Sequence, residues 1–136
     1  MKKLLALCSL CFLSACGVLP IQSWENIGTD ANGGVYSVDR SSRQRTTTGG
    51  AIITSRAHFN QTVIPDDISV PMHTDIISTW RFDCQKHQYV LQRTVFYKNQ
   101  QIVRQASETW AEQTLRDIPS NQSIIKHIEQ IACARL

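Results

Sequence analysis

Apolar and polar side chains alternate most densely over residues 80–97. Trp80, Phe82 and Cys84 alternate with Arg81 and Asp83, the mark of a half-buried strand, because successive strand side chains point to opposite faces. Gln85, Lys86, His87 and Gln88 interrupt the alternation as a polar turn. Beyond it, Tyr89, Leu91, Val95 and Tyr97 are expected on one face, and Val90, Gln92, Thr94 and Phe96 on the other. Lys98, Asn99 and Gln100 make a further turn into a third strand over residues 101–104. An antiparallel meander is the natural arrangement of such neighbours.

Upstream, strands are expected over residues 24–28 and 35–39, joined by a turn in which Asn32, Gly33 and Gly34 supply the positive φ a hairpin demands. A second turn is expected at 39–43, and Gly49-Gly50 marks a bend or bulge before a central strand over 51–59. Residues 60–78 read as an exposed loop with one short strand at 68–70, since Pro65 and Pro71 each remove an amide donor and constrain the preceding residue. Loops carry function more often than cores do, so this loop is a candidate contact surface.

Downstream, residues 108–119 form a connector, with Trp110 expected over the core. Ile124, Ile125, Ile128, Ile131 and Ala132 then recur at helical spacing, with Lys126, Glu129 and Gln130 opposite. Ser120 or Ser123 can cap the helix start. A helix of about 12 residues is marginal alone in water and needs a surface to pack on. The expected architecture is α+β: an antiparallel sheet of about five or six strands with one C-terminal helix packed on it.

The N-terminus is an address rather than structure. Lys2 and Lys3 precede an apolar run over residues 4–13, too short for a bilayer span of about 20 residues and fitting a secretory signal. Leu13-Ser14-Ala15-Cys16-Gly17 resembles the bacterial lipobox, whose cysteine is acylated after the preceding peptide is removed. The alternative is an ordinary signal peptide that happens to contain a cysteine. On the lipobox reading, residues 1–15 are a signal peptide, 16–23 a lipidated N-terminus and tether, and 24–136 a single domain. Gly17 is not the aspartate that favours inner-membrane retention, so a lipid anchor in the outer membrane is expected, and three acyl chains exceed the two signals that stable anchoring needs.

Cysteine usage then narrows. Of five cysteines, Cys8 and Cys11 leave with the signal and Cys16 carries lipid. Cys84 and Cys133 remain, an even pair in an oxidising compartment, and are expected to form a disulfide that ties the helix to the hairpin. Two isolated cysteines do not make a zinc site, and no metal or cofactor is expected. Asp66, Asp67 and Asp75 lack the ligand rhythm of a calcium loop.

Loss of Lys2 and Lys3 lowers the formal charge from +3 to +1, leaving no electrostatic case for nucleic acid. Arg40, Arg43 and Arg45 are read as solvated charges that discourage edge pairing rather than as a polyanion patch. His58, His73, His87 and His127 are scattered, without zinc-binding spacing, and neither a nucleophile elbow nor a phosphate-binding glycine loop occurs. The chain is not expected to be an enzyme.

Taken in order, the lipobox, Trp24 and Ile27, the run 35–42, Trp80-Arg81-Phe82-Asp83-Cys84, Tyr89, Tyr97, Ile118-Pro119 and Ile131-Ala132-Cys133 resemble the surface-adhesin protein E family of small Gram-negative lipoproteins. The resemblance spans nearly the whole mature chain and rests on order and spacing. It implies an antiparallel sheet with a disulfide-secured C-terminal helix, and contact with host extracellular-matrix proteins through residues 72–93. Arg81, Lys86 and Arg93 are the basic residues available there. Unlike the basic approach of that family, residues 71–77 contain no lysine or arginine. A second reading is a periplasm-facing accessory lipoprotein of an envelope assembly, or a small inhibitor of an enzyme such as lysozyme. An apolar patch on the sheet face opposite the helix would favour a subunit partner.

Overall fold

The alternating segments form one antiparallel sheet in chain order. β1 (Trp24–Thr29), β2 (Val35–Arg45), β3 (Ala51–Val63), β4 (His73–Asp83), β5 (Gln88–Lys98) and β6 (Gln101–Ser107) lie side by side. The short β7 (Arg116–Asp117) pairs with the start of β5, and α1 (Ser123–Cys133) ends the fold. The computed structural model describes residues 23–107 and 114–135. The signal segment, Cys16 and Trp110 lie outside the described residues. The expected α+β architecture is the observed one, with seven strands in the sheet among the described residues.

Three local expectations are corrected. The turn expected at 39–43 is a bulge inside β2, where the β2–β3 register shifts between Asp39 and Gln44. The Asp39 carboxylate accepts from the Ser41 amide at 2.9 Å and its carbonyl from the Ser42 hydroxyl at 2.7 Å. These local bonds replace the ladder bonds that a bulge gives up. The loop expected at 60–78 shrinks to residues 64–72, because β3 continues to Val63 and β4 begins at His73, and no strand forms at 68–70. Asp67 closes a turn there instead, its side chain accepting from the Ser69 amide and its carbonyl from the Val70 amide. Asn60, Gln61 and Thr62 are exposed strand residues, which is why their polarity reads as loop.

Strict alternation along β5 also fails. Thr79 faces Arg93 while Trp80 faces Leu91, so Gln92 is an extra residue. One extra residue reverses the facing of everything beyond it. Tyr89 and Leu91 therefore share the helix side with Thr94 and Phe96, while Val90 and Val95 point away.

The core lies between α1 and the β1–β4 half of the sheet. Ile128, Ile131 and Ala132 pack on Ile27, Val38, Ala51, Ile53 and Phe82. Cys84 and Cys133 are bonded, with Cα atoms 5.7 Å apart. The hairpin and the helix end are thus covalently joined. At the turn into β3, Gly50 lies so close to β4 that a Cβ would sit 2.4 Å from the Phe82 carbonyl oxygen, leaving room only for glycine.

The helix ends are held from outside. Neither serine caps the start: the N-cap is Gln122, and no side chain bonds there. At the other end, Arg43 donates to the Ile131 carbonyl at 3.0 Å, and Arg45 to the Cys133 and Ala134 carbonyls at 3.0 and 2.7 Å. Carbonyls of the last turn have no partners within the helix, and cations suit that end of its dipole. Arg40 pairs with Glu25 across β1 and β2, Nη2 to Oε1 at 2.8 Å. The three arginines make fold contacts while Arg40 and Arg45 stay exposed to solvent. Glu129, expected on the solvent side, is buried and bonded at 2.8 Å to His87 in the hairpin turn, a second tie beside the disulfide.

Candidate functional site

An 11-residue helix is about 16 Å long and about 10 Å across, whereas six strands span about 24 Å between outer axes. α1 packs against β1 to β4 and leaves the β4–β6 side of the same face open. The result is a groove of about 900 Å3 between the helix start and the sheet, with the 69–70 turn and β6 as its far wall. Its floor is Tyr36, Ala57, Ile76, Trp80, Leu91 and Phe96.

The three aromatic floor residues are held by their neighbours. Trp80 stacks on Phe82 at 6.2 Å and 13°, leans on Tyr89 at 5.6 Å, and donates its indole N–H to Ser55 at 2.7 Å. Phe96 meets the buried His73 ring edge-on at 5.2 Å, and His73 is fixed by Phe59 on its other side and by the Pro71 carbonyl at 2.8 Å. Tyr36 donates to Asp30 at 3.0 Å, and the Asp30 carboxylate also accepts from the Asn32 and Gly34 amides. Burial pushes the Tyr36 hydroxyl up to about 12, helped by its bond to Asp30. It is a neutral, preorganised wall at any physiological pH.

Large apolar side chains are also exposed outside the groove lining. Ile64, Ile68 and Met72 of the 64–72 loop are exposed, Ile68 at 96%, as are Ile102 and Val103 on β6. Arg104 ties the two segments by donating to the Ser69 carbonyl. A concave, mostly apolar floor with a few polar groups is the usual form of a binding site.

The basic residues singled out from sequence lie elsewhere. Arg81 and Arg93 point from β4 and β5 to the face away from the helix, and Arg93 donates to Gln105 at 3.1 Å. Lys86 is exposed in the turn that Asp83 organises by accepting from the Gln85 and Lys86 amides. Asp66, Asp67 and Asp75 do not gather, and among the described residues no group of three metal-ligating side chains forms. The groove has no sequence signature of its own. It follows from the short helix and from the Gln92 bulge, which brings Leu91, Thr94 and Phe96 to one side.

On the opposite face, Asp75 accepts from Arg56 at 2.8 and 2.6 Å, from His58 at 2.8 Å and from Thr74 at 3.0 Å. Burial works to raise its pKa, and the bonds from Arg56, His58 and Thr74 outweigh it and hold the carboxyl below its usual range. A depressed carboxylate adds stability above the unfolded pKa, and loses it as pH falls through the folded one. Wild type is therefore expected to melt above Asp75→Asn at pH 7. That gap should close as pH falls from about 5 toward 2, which thermal melts across the range would check.

These features define a class first: an antiparallel sheet with one disulfide-tied terminal helix that covers half a face and leaves a preorganised groove. Among solved structures, the fold is that of Haemophilus influenzae protein E. In its crystal form II, that protein shares 13% identity over 82% of this chain and 87% of its own, with a TM-score of 0.54. The selenomethionine form matches at 13% identity over 80% and 85%, with a TM-score of 0.53. At such identity the likeness establishes the fold. No family model matches the chain, and no curated protein does. Among the described residues no helix is long and apolar enough to cross a membrane.

Proposed function

We propose that this protein is a lipid-anchored, non-enzymatic binding module of the cell envelope. Cys16 holds it to the outer membrane, and it engages a host extracellular-matrix protein through the groove. The observation that carries the reading is the uncovered floor of Tyr36, Ile76, Trp80, Leu91 and Phe96. Residues 72–93, the segment that the family resemblance connects with matrix contact, supply Ile76, Ser78, Trp80 and Leu91 of that lining. The protein E fold supports a scaffold role. A periplasmic subunit would favour an apolar patch opposite the helix, and that face mixes Trp24, Ile77 and Tyr97 with Arg56, Asp75, Arg81 and Arg93.

Binding to immobilised matrix proteins tests the reading with two variants. Leu91→Glu puts a charge on the half-exposed groove floor and is expected to weaken binding roughly tenfold to hundredfold, the loss that follows from an unpaired charge in a desolvated contact. Simultaneous Arg81→Ala, Lys86→Ala and Arg93→Ala, which leaves the groove intact, is expected to change it by less than about fivefold. The reverse ranking would move the contact surface to the basic face. For the anchor, Cys16→Ala should shift the protein from the membrane fraction to the soluble fraction. Continued pelleting with membranes would overturn lipidation at that residue.

A further inference from the structure

On the face away from α1, Trp24, Arg56, Asp75, Ile77, Tyr97 and Gln100 surround a second cleft of about 230 Å3. Three of its properties describe a ligand.

The first is charge. Arg56 donates twice to Asp75, so the pair facing the cleft is neutral, with His58 as the third group bonded to that carboxylate. A neutral pair gives little net pull on either an anion or a cation. The second is shape. Trp24 and Tyr97 are half-buried, offering aromatic surface together with a polar N–H and O–H. Beside them the volume falls below the roughly 300–1,000 Å3 of pockets for drug-sized ligands. It suits one small ring, not an extended chain.

The third is unused hydrogen-bonding capacity. Among the described residues, the Trp24 indole N–H, the Tyr97 hydroxyl and the Gln100 carboxamide have no hydrogen-bond partner. Gln100 is held there by an unfavourable backbone: Asn99 and Gln100 both have left-handed φ, 50° and 67°. A two-residue hairpin turn of this hand favours glycine at its second position, so a glutamine keeps its side chain at the cleft against that preference.

We propose that this cleft binds a single neutral pyranose ring of a glycan. One side of such a ring presents C–H groups that pack on aromatic surface, and its rim presents hydroxyls that both donate and accept. The Trp24 and Tyr97 rings match the first, and the unpartnered Gln100 carboxamide, Trp24 N–H and Tyr97 hydroxyl match the second. The site is on the face opposite the groove and does not depend on it.

Saturation-transfer NMR of the soluble domain with the methyl glycosides of glucose, galactose, mannose and N-acetylglucosamine, each at about 10 mM, reads the proposal directly for a site with a Kd of about 1 mM. At least one glycoside is expected to receive transfer. Trp24→Ala should remove it. Gln100→Gly should weaken it by roughly fivefold, as loss of one or two hydrogen bonds does, while raising Tm, since glycine relieves the left-handed residue. Weaker binding in a more stable protein cannot be ascribed to unfolding. No transfer to any of the four glycosides, or unchanged transfer in either variant, overturns the assignment.

Discussion

Replacing Cys133 or Cys84 by serine is expected to lower Tm by on the order of 15 °C under oxidising conditions. The bond joins residues 49 apart in sequence, and opening a loop of that length releases about 4 kcal/mol of chain entropy to the unfolded state. For a domain near 100 residues each kcal/mol is about 4 °C or more in Tm. The native state adds its own dependence. α1 meets the sheet chiefly through Ile128, Ile131 and Ala132, and a helix this short does not persist without a surface. The remaining ties at its C-terminal half, Arg43 and Arg45 on its carbonyls and His87 on Glu129, are partly solvated and individually weak. Thermal melts with and without reductant check this, and the serine variants should be insensitive to reductant. Coincident wild-type curves would show that the bond contributes nothing.

The second large effect is Phe82→Ala, expected to cost about 3–5 kcal/mol. Phe82 is 1% exposed, faces Ala51 on one strand and Tyr89 on the other, and carries the Trp80 ring stacked on it. Removing it leaves a cavity under both the helix and the groove floor, and the floor cannot collapse without tilting Trp80. The loss should therefore register twice: in denaturant midpoint, and in a red-shifted, more exposed tryptophan emission. By contrast, Leu91→Ala on the half-exposed groove floor should cost under about 1.5 kcal/mol. Similar costs for the two would mean that the groove is core rather than surface.

Much of the scaffold was legible in the sequence because its signals are local. Period-two alternation marked the hairpin, the isoleucine spacing marked α1, and cysteine usage left one pairing. The misreadings are equally physical. Polar residues 60–62 resemble a loop, yet they are the exposed end of a long strand. Asp39 to Arg43 resemble a turn, yet β2 absorbs them as a bulge. Glu129 resembles a surface residue, but His87, 42 positions away, supplies its partner. The candidate site was less legible still. The groove exists because α1 is narrower than the sheet and Gln92 reverses the facing of β5, and neither is a motif. Arg81, Lys86 and Arg93 were visible because charge is visible in sequence, whereas an uncovered half-face is a property of packing.

We propose the half-face beside α1 as the contact surface. Amide and side-chain chemical-shift mapping of the soluble domain, on addition of a matrix protein that it binds, tests this most directly. The perturbed residues are expected to be Tyr36, Ile76, Trp80, Leu91 and Phe96, with Ser69 and Val70 of the far wall. Perturbation confined to Arg81, Lys86 and Arg93, with the groove floor silent, would contradict it.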